Sequence, residues 1–113
     1  MFDYIKMEEK SIFLQVFGDS PKLRIVDFLV VHSEFDYAMK EIALKSGVGY
    51  STLRLLWDDF IKNNIVEFTR TLGKAKLYRL NRNSRVIRSF EKMYWEITDK
   101  IIEQRHAKKK ILA

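Results

Sequence analysis

The side chains best equipped for chemistry in this sequence are donors and cations gathered in two short segments. Tyr50, Ser51, Thr52 and Arg54 form the first, and Arg70, Lys74 and Lys76 the second. A guanidinium can bond in bidentate fashion to a guanine edge or to phosphate oxygens. Hydroxyls and backbone N–H groups at a helix start receive phosphate. The chemistry on offer is recognition of an anion rather than the making of bonds. Each residue also has a structural reading: Arg54 could pair with Asp58 one helical turn on, Thr52 could simply cap, and Arg70, Lys74 and Lys76 could keep a hairpin edge soluble and unpaired. No Ser-His-Asp set, phosphate-binding glycine loop or carboxylate pair stands in a persuasive arrangement, so an enzyme reading has nothing to rest on. There is no Cys and there are only two histidines, His32 and His106. Thiol chemistry is thereby excluded, and no metal or cofactor is expected.

The elements that must position these groups can be read from periodicity and breakers. From about Glu8 to Phe17, the residues Ile12, Phe13, Val16 and Phe17 recur at helical spacing. Ser20-Pro21 offers an N-cap hydroxyl followed by proline at the first helical position, and predicts a helix to about His32. Its apolar residues cover most of its circumference, as a central core helix requires. Phe35-Asp36-Tyr37 could form one brief strand. Met39 to Ser46 reads as a helix, Gly47 as a residue past its end able to take positive φ, and Gly49 as the N-cap of a helix from Tyr50 to about Lys62. Leu53, Leu56, Trp57, Phe60 and Ile61 face inward from that helix, with Ser51, Arg54, Asp58 and Lys62 on the other side. Asn63-Asn64 breaks it.

Ile65 to Arg70 and Ala75 to Leu80 then read as two strands joined by Thr71-Leu72-Gly73-Lys74, a hairpin with Arg70, Lys74 and Lys76 at its tip. Alternation places Val66 and Phe68 on one face, and likewise Tyr78 and Leu80. From about Asn83 to His106 a long helix carries Ile87, Phe90, Tyr94, Ile97 and Ile101 at alternating three- and four-residue spacing, a coiled-coil-like seam. Met93, Trp95 and Ile102 widen the stripe. The surplus of apolar area predicts a symmetric homodimer held by Ile87, Phe90, Tyr94, Ile97 and Ile101 with help from Ile12, Phe13, Val16 and Phe17. Residues 107–113 read as a frayed basic tail.

Length bounds the answer at one domain over residues 1–113, and 47% apolar residues with eight Phe, five Tyr and two Trp provide enough area for a core without staples. The net charge of +6 is unevenly spread: residues 1–62 hold 8 Lys+Arg against 10 Asp+Glu, and residues 63–113 hold 13 against 5. A one-sided positive field attracts polyanions such as nucleic acid or an anionic membrane. No apolar run reaches the length of a membrane span, and the first ten residues lack the layout of a signal peptide. A soluble intracellular protein is expected.

The segment Met39 to Phe60 satisfies the needs of a helix-turn-helix: a small residue where two helices cross (Ala43), a glycine at the turn (Gly47), and apolar residues behind (Ile42, Val48, Leu53, Leu56). With Ser20-Pro21, Glu41-Ile42-Ala43, Gly47-Val48, Ser51-Thr52-Leu53-Arg54 and Tyr78-Arg79-Leu80, the chain from Ser20 to Leu80 resembles the winged helix-turn-helix regulators of the ArsR and MarR type, especially their short archaeal and bacterial members. The resemblance implies a mainly helical α+β fold. It makes the helix from Tyr50 the recognition helix, the hairpin a wing on phosphate or the minor groove, and the terminal helices a dimerisation unit.

The partner it implies is double-stranded DNA carrying an inverted repeat, bound in the cytoplasm at the nucleoid. Two departures stand out. Gly49 replaces the usual Ser N-cap, and Asp58-Asp59 place two negative charges midway along the recognition helix, which leaves Tyr50, Ser51, Thr52 and Arg54 to enter the groove. A winged-helix module that binds protein is the alternative, distinguished by having no need of cations at both the recognition-helix start and the wing tip.

Overall fold

The computed structural model describes residues 10–112. Glu8 and Glu9, where the first predicted helix begins, and Ala113 lie outside the described residues. The elements are α1 (Ile12–Phe17), α2 (Pro21–Val31), β1 (Tyr37–Ala38), α3 (Met39–Ser46), α4 (Tyr50–Lys62), β2 (Val66–Leu72), β3 (Ala75–Leu80) and α5 (Arg85–Leu112). The three strands form one antiparallel sheet in the order β1-β3-β2.

Local chemistry sets these boundaries. Ser11 Oγ accepts from the Leu14 N–H at 3.1 Å and Ser20 Oγ from the Leu23 N–H at 3.2 Å, so both helices start on a hydroxyl that satisfies an otherwise orphaned donor. Pro21 occupies the first turn of α2. Gly47 ends α3 in the left-handed region at φ 72°, and Gly49 caps α4 with extended backbone and no side-chain bond. Gly73, at φ 63°, supplies positive φ in the two-residue turn between Leu72 and Ala75. The hairpin is therefore longer and its turn tighter than alternation alone suggests. The strand before α3 is displaced from the expected Phe35-Asp36-Tyr37 to Tyr37–Ala38, paired with Leu77 and Tyr78.

The core is one cluster. Ile25, Leu29 and Val30 of α2, Ile42 of α3, Leu53 and Phe60 of α4, and Leu80 of β3 are buried at its centre. Phe13 of α1 and Tyr94 of α5 close one end, their rings 5.1 Å apart. Ser11 Oγ and Tyr94 Oη both donate to Asp27 Oδ1 at 2.6 Å, tying α1 and α5 to the central helix. Burial and the neighbouring Asp27 carboxylate push the Tyr94 hydroxyl well above its ordinary pKa, so it stays a donor.

Val66 and Phe68 share one face as alternation expects, paired with Leu80 and Tyr78, and Phe68 is 53% exposed there because β2 is an edge strand; the bulge between Phe68 and Arg70 shifts the register only beyond Phe68, towards the hairpin tip. Two sequence expectations need correction. α5 starts at Arg85 and runs through Leu112, so the segment after His106 is helix. Finally, Phe13, Ile87 and Tyr94, expected at a dimer seam, are buried inside the protomer, where α5 packs on α1. The seam's inner edge is thus consumed by the chain's own first helix.

Asp19 makes a small electrostatic joint. Its carboxylate takes Lys10 at 2.8 Å and the Arg24 guanidinium, whose other nitrogen donates to the Gly47 carbonyl at 3.1 Å, so the residues preceding α1, α2 and the turn after α3 meet there. The hydrogen bond from Arg24 is the main reason that the Asp19 pKa falls from 3.8 to about 2. A depressed carboxyl pKa stabilises the fold above the unfolded value, and this contribution is lost as pH falls through the folded one. Asp19→Asn is therefore expected to be less stable than the parent near neutral pH, with the gap closing between pH 3.8 and about 2. Urea unfolding of both proteins across that range checks it; a gap that persists at the acid end would contradict the assignment.

Candidate nucleic-acid interface

The two cationic segments converge. Tyr50 at the start of α4, Lys74 and Lys76 of the hairpin, and Lys40 at the start of α3 line one cleft of about 410 Å³, with Ala38, Met39, Ala75 and Tyr78 as its floor and sides. The Tyr50 ring has two cations near it, with Lys40 Nζ and Arg54 Cζ each 5.8 Å from its centroid. Ser51 and Thr52 are exposed beside it. The cleft therefore joins the beginnings of both helices of the helix-turn-helix to the wing, where N-terminal helix dipoles add to the lysine charge.

Pairing separates the cations that can act on a partner from those that hold the fold. Arg70 is turned away from the tip: it grips Asp36 through Nε at 3.0 Å and a second nitrogen at 3.2 Å, next to the Thr69 hydroxyl on the same carboxylate. That pair pulls the Asp36 carboxyl below its usual range. Arg79 binds Glu67 at 2.8 Å and Arg82 binds the buried Glu91 at 3.0 Å. Among the described residues Lys40, Arg54, Lys74 and Lys76 have no carboxylate partner, and the alternative Arg54–Asp58 ion pair is not formed. Arg70, Arg79 and Arg82 are thus engaged within the fold, whereas Lys40, Lys74 and Lys76 line one cleft.

A larger cleft of about 610 Å³ lies on another side, lined by Lys10, Asp19, Arg24, Asp27, His32 and Lys45 among others. Its carboxylates are already engaged, Asp19 by two cations and Asp27 by two hydroxyls. Those carboxylates join elements of the fold. His32 stacks on Phe28 at 4.7 Å, and no three potential metal ligands converge among the described residues.

Sequence reasoning missed two residues of this face. Lys40 is one, because its proximity to the wing is a tertiary fact with no local periodic signal. Leu55 is the other. It is an apolar residue on the polar side of α4, and its departure from the inward three- and four-residue spacing was the available signal.

No protein-family model and no curated protein sequence matches the chain. Solved structures do match in shape. The homodimeric winged helix-turn-helix DNA-binding domain of Mb0332 from Mycobacterium bovis, a possible ArsR-family transcriptional regulator, superposes with a TM-score of 0.55 at 20% identity, over 74% of this chain and 72% of that one. ZitR of Lactococcus lactis, in complex with DNA, gives 0.56 at 13% identity over 75% of this chain and 60% of its own. AF1382 of Archaeoglobus fulgidus gives 0.55 at 20% identity over 80% and 94%. The likeness establishes the fold as a winged helix-turn-helix with a long C-terminal helix. No helix among the described residues is long and apolar enough to cross a membrane.

Proposed function

We propose that this winged helix-turn-helix chain is a sequence-specific duplex-DNA-binding transcriptional regulator that acts as a homodimer. The observation that carries the reading is the cleft that Lys40, Lys74 and Lys76 line with Tyr50, beside Arg54 on the Tyr50 ring, all four cations without a carboxylate partner. Phosphate is the anion that fits: it takes point charge from lysines, a fork from arginine and N–H groups from helix starts. In this arrangement α4 enters the major groove by its first turns, Ser51 and Arg54 reach base edges or phosphate, and Lys74 and Lys76 hold the backbone beside the groove. Asp58 and Asp59 repel phosphate and keep the second half of α4 away from it. A binding role of this kind calls for no cofactor and no catalytic group, and it operates at the nucleoid.

The dimer face proposed here is α5 beyond its packing on α1. Val86, Met93, Ile97 and Ile101 lie along one side at helical spacing, bordered by Phe90, which packs edge-on against Phe13 of α1, and with Val16 and Phe17 exposed on neighbouring α1. A two-fold pair would present two α4 helices to successive major grooves, which makes the operator an inverted repeat with half-sites about one helical turn apart. The homodimeric state of the Mycobacterium bovis domain supports this arrangement.

Titration against a random duplex at rising salt tests the reading. Each phosphate neutralised releases counterion, so log affinity should fall linearly with log salt at a slope of roughly −0.9 per phosphate. Absence of duplex binding at low salt would sink it. Retention of a protein partner with no dependence on salt would favour the protein-binding alternative.

A further inference from the structure

We infer that Leu55 is a specificity-determining residue that reads the C5-methyl group of a thymine in the major groove. The inference rests on the DNA-binding reading above and adds to it the base that one side chain recognises. Leu55 is 83% exposed in the middle of an amphipathic helix. Its neighbours on the core side, Leu53, Trp57 and Phe60, are buried, whereas Ser51, Arg54, Leu55, Asp58 and Lys62 share the outer face at three- and four-residue spacing. An aliphatic side chain there supports neither folding nor phosphate binding. It can make only van der Waals contact, and the apolar group that a base pair presents in the major groove is the thymine methyl.

Placement favours that contact. Ser51, Arg54 and Leu55 line one shallow recess on the outer face of α4, so the leucine sits beside the two polar groups proposed to reach the bases. Lys40, Lys74 and Lys76 lie across the start of the same helix and give this face its charge complementarity to a duplex. Asp58 and Asp59, in the next turn, disfavour approach of the phosphate backbone to the rest of the helix. Leu55 is thus the last outward residue before that repulsive segment. Leu44 is equally bare, at 82% exposed, but borders the mixed-charge cleft formed with Lys10, Asp19 and Arg24, away from the lysine cluster, and nothing shows what covers it.

The test begins with selection of bound sequences from a random duplex pool. Each thymine of the selected site is then replaced in turn by deoxyuridine, which keeps pairing and removes only the methyl. The parent protein should lose about fourfold in affinity at one thymine of each half-site, the effect of one buried methyl group. Leu55→Ala should be insensitive to the same replacement while keeping the parent's salt-dependent binding to random duplex. A uracil scan that is flat for the parent, or a loss that persists in Leu55→Ala, overturns the thymine assignment while leaving DNA binding intact, and would point to a protein-facing role for Leu55. Absence of duplex binding altogether overturns the underlying reading, and the thymine assignment with it.

Discussion

Replacing Lys40, Lys74 and Lys76 together by alanine is expected to weaken binding to every duplex, matched or random, by roughly 100- to 1,000-fold, taking about 1 kcal/mol or slightly more for each lysine withdrawn from phosphate. The salt slope should fall by about 3 for each protomer that engages DNA, since a lysine on phosphate contributes about 1. The three side chains come from α3 and the hairpin and meet in one cleft, so their fields add at a single point on the backbone. Sequence selectivity should survive, because a point charge on phosphate carries no base information.

Arg70→Ala is the internal control. It removes the same unit charge from the same hairpin, but that charge is already engaged by Asp36 at 3.0 Å, so duplex affinity should barely move. Filter binding or fluorescence anisotropy across a salt series measures affinity, salt slope and selectivity together. A triple variant that binds like the parent, or an Arg70 variant that loses as much, would show that the cleft is not where the backbone sits.

Arg70 also shows where reading a sequence ends. Helix starts at Ser20-Pro21 and the glycine past α3 were legible because capping and positive φ are local requirements, satisfied within a few residues. The start of α4 was legible for the same reason, which places Tyr50, Ser51 and Arg54 in its first turns. What could not be read locally was pairing at a distance. Asp36 and Arg70 lie 34 residues apart and are brought together by β1 joining the sheet and by the bulge at Thr69. Lys40 joins the lysine cluster by the same folding of α3 against the hairpin. Alternation held for Val66 and Phe68 but could not foresee the inserted residue after Phe68, which changes the register of everything towards the tip, Arg70 included.

The long helix was legible as a helix but not in its allegiance, since a stripe at three- and four-residue spacing does not say whether its partner is the same chain or a copy. The structure divides it. Ile87 and Tyr94 belong to the protomer, and from residue 102 to 109 every residue of α5 is exposed. α5 therefore projects beyond the body that packs on it. The radius of gyration, 16.0 Å, exceeds the roughly 13 Å of a compact domain this long. Phe90 packs on Phe13 at the border, Val86, Met93, Ile97 and Ile101 follow the side next to that packing, and Trp95 and Ile102 lie across the helix.

Met93→Asp is accordingly expected to convert a micromolar solution from twice the chain mass to the chain mass by sedimentation equilibrium, with the fold retained because Met93 is already 39% exposed. Trp95→Asp, at a similar 43%, should leave the dimer whole because it lies about 200° further round the helix. Losing the partner subunit turns binding at the second half-site from an intramolecular event into an independent one, which removes an advantage of about 100- to 10,000-fold. Met93→Asp should therefore lose affinity for a full inverted repeat by at least the lower figure while binding an isolated half-site like the parent. If the parent stays monomeric both alone and on DNA, or if Trp95→Asp rather than Met93→Asp splits it, the two-fold axis does not run along this face of α5.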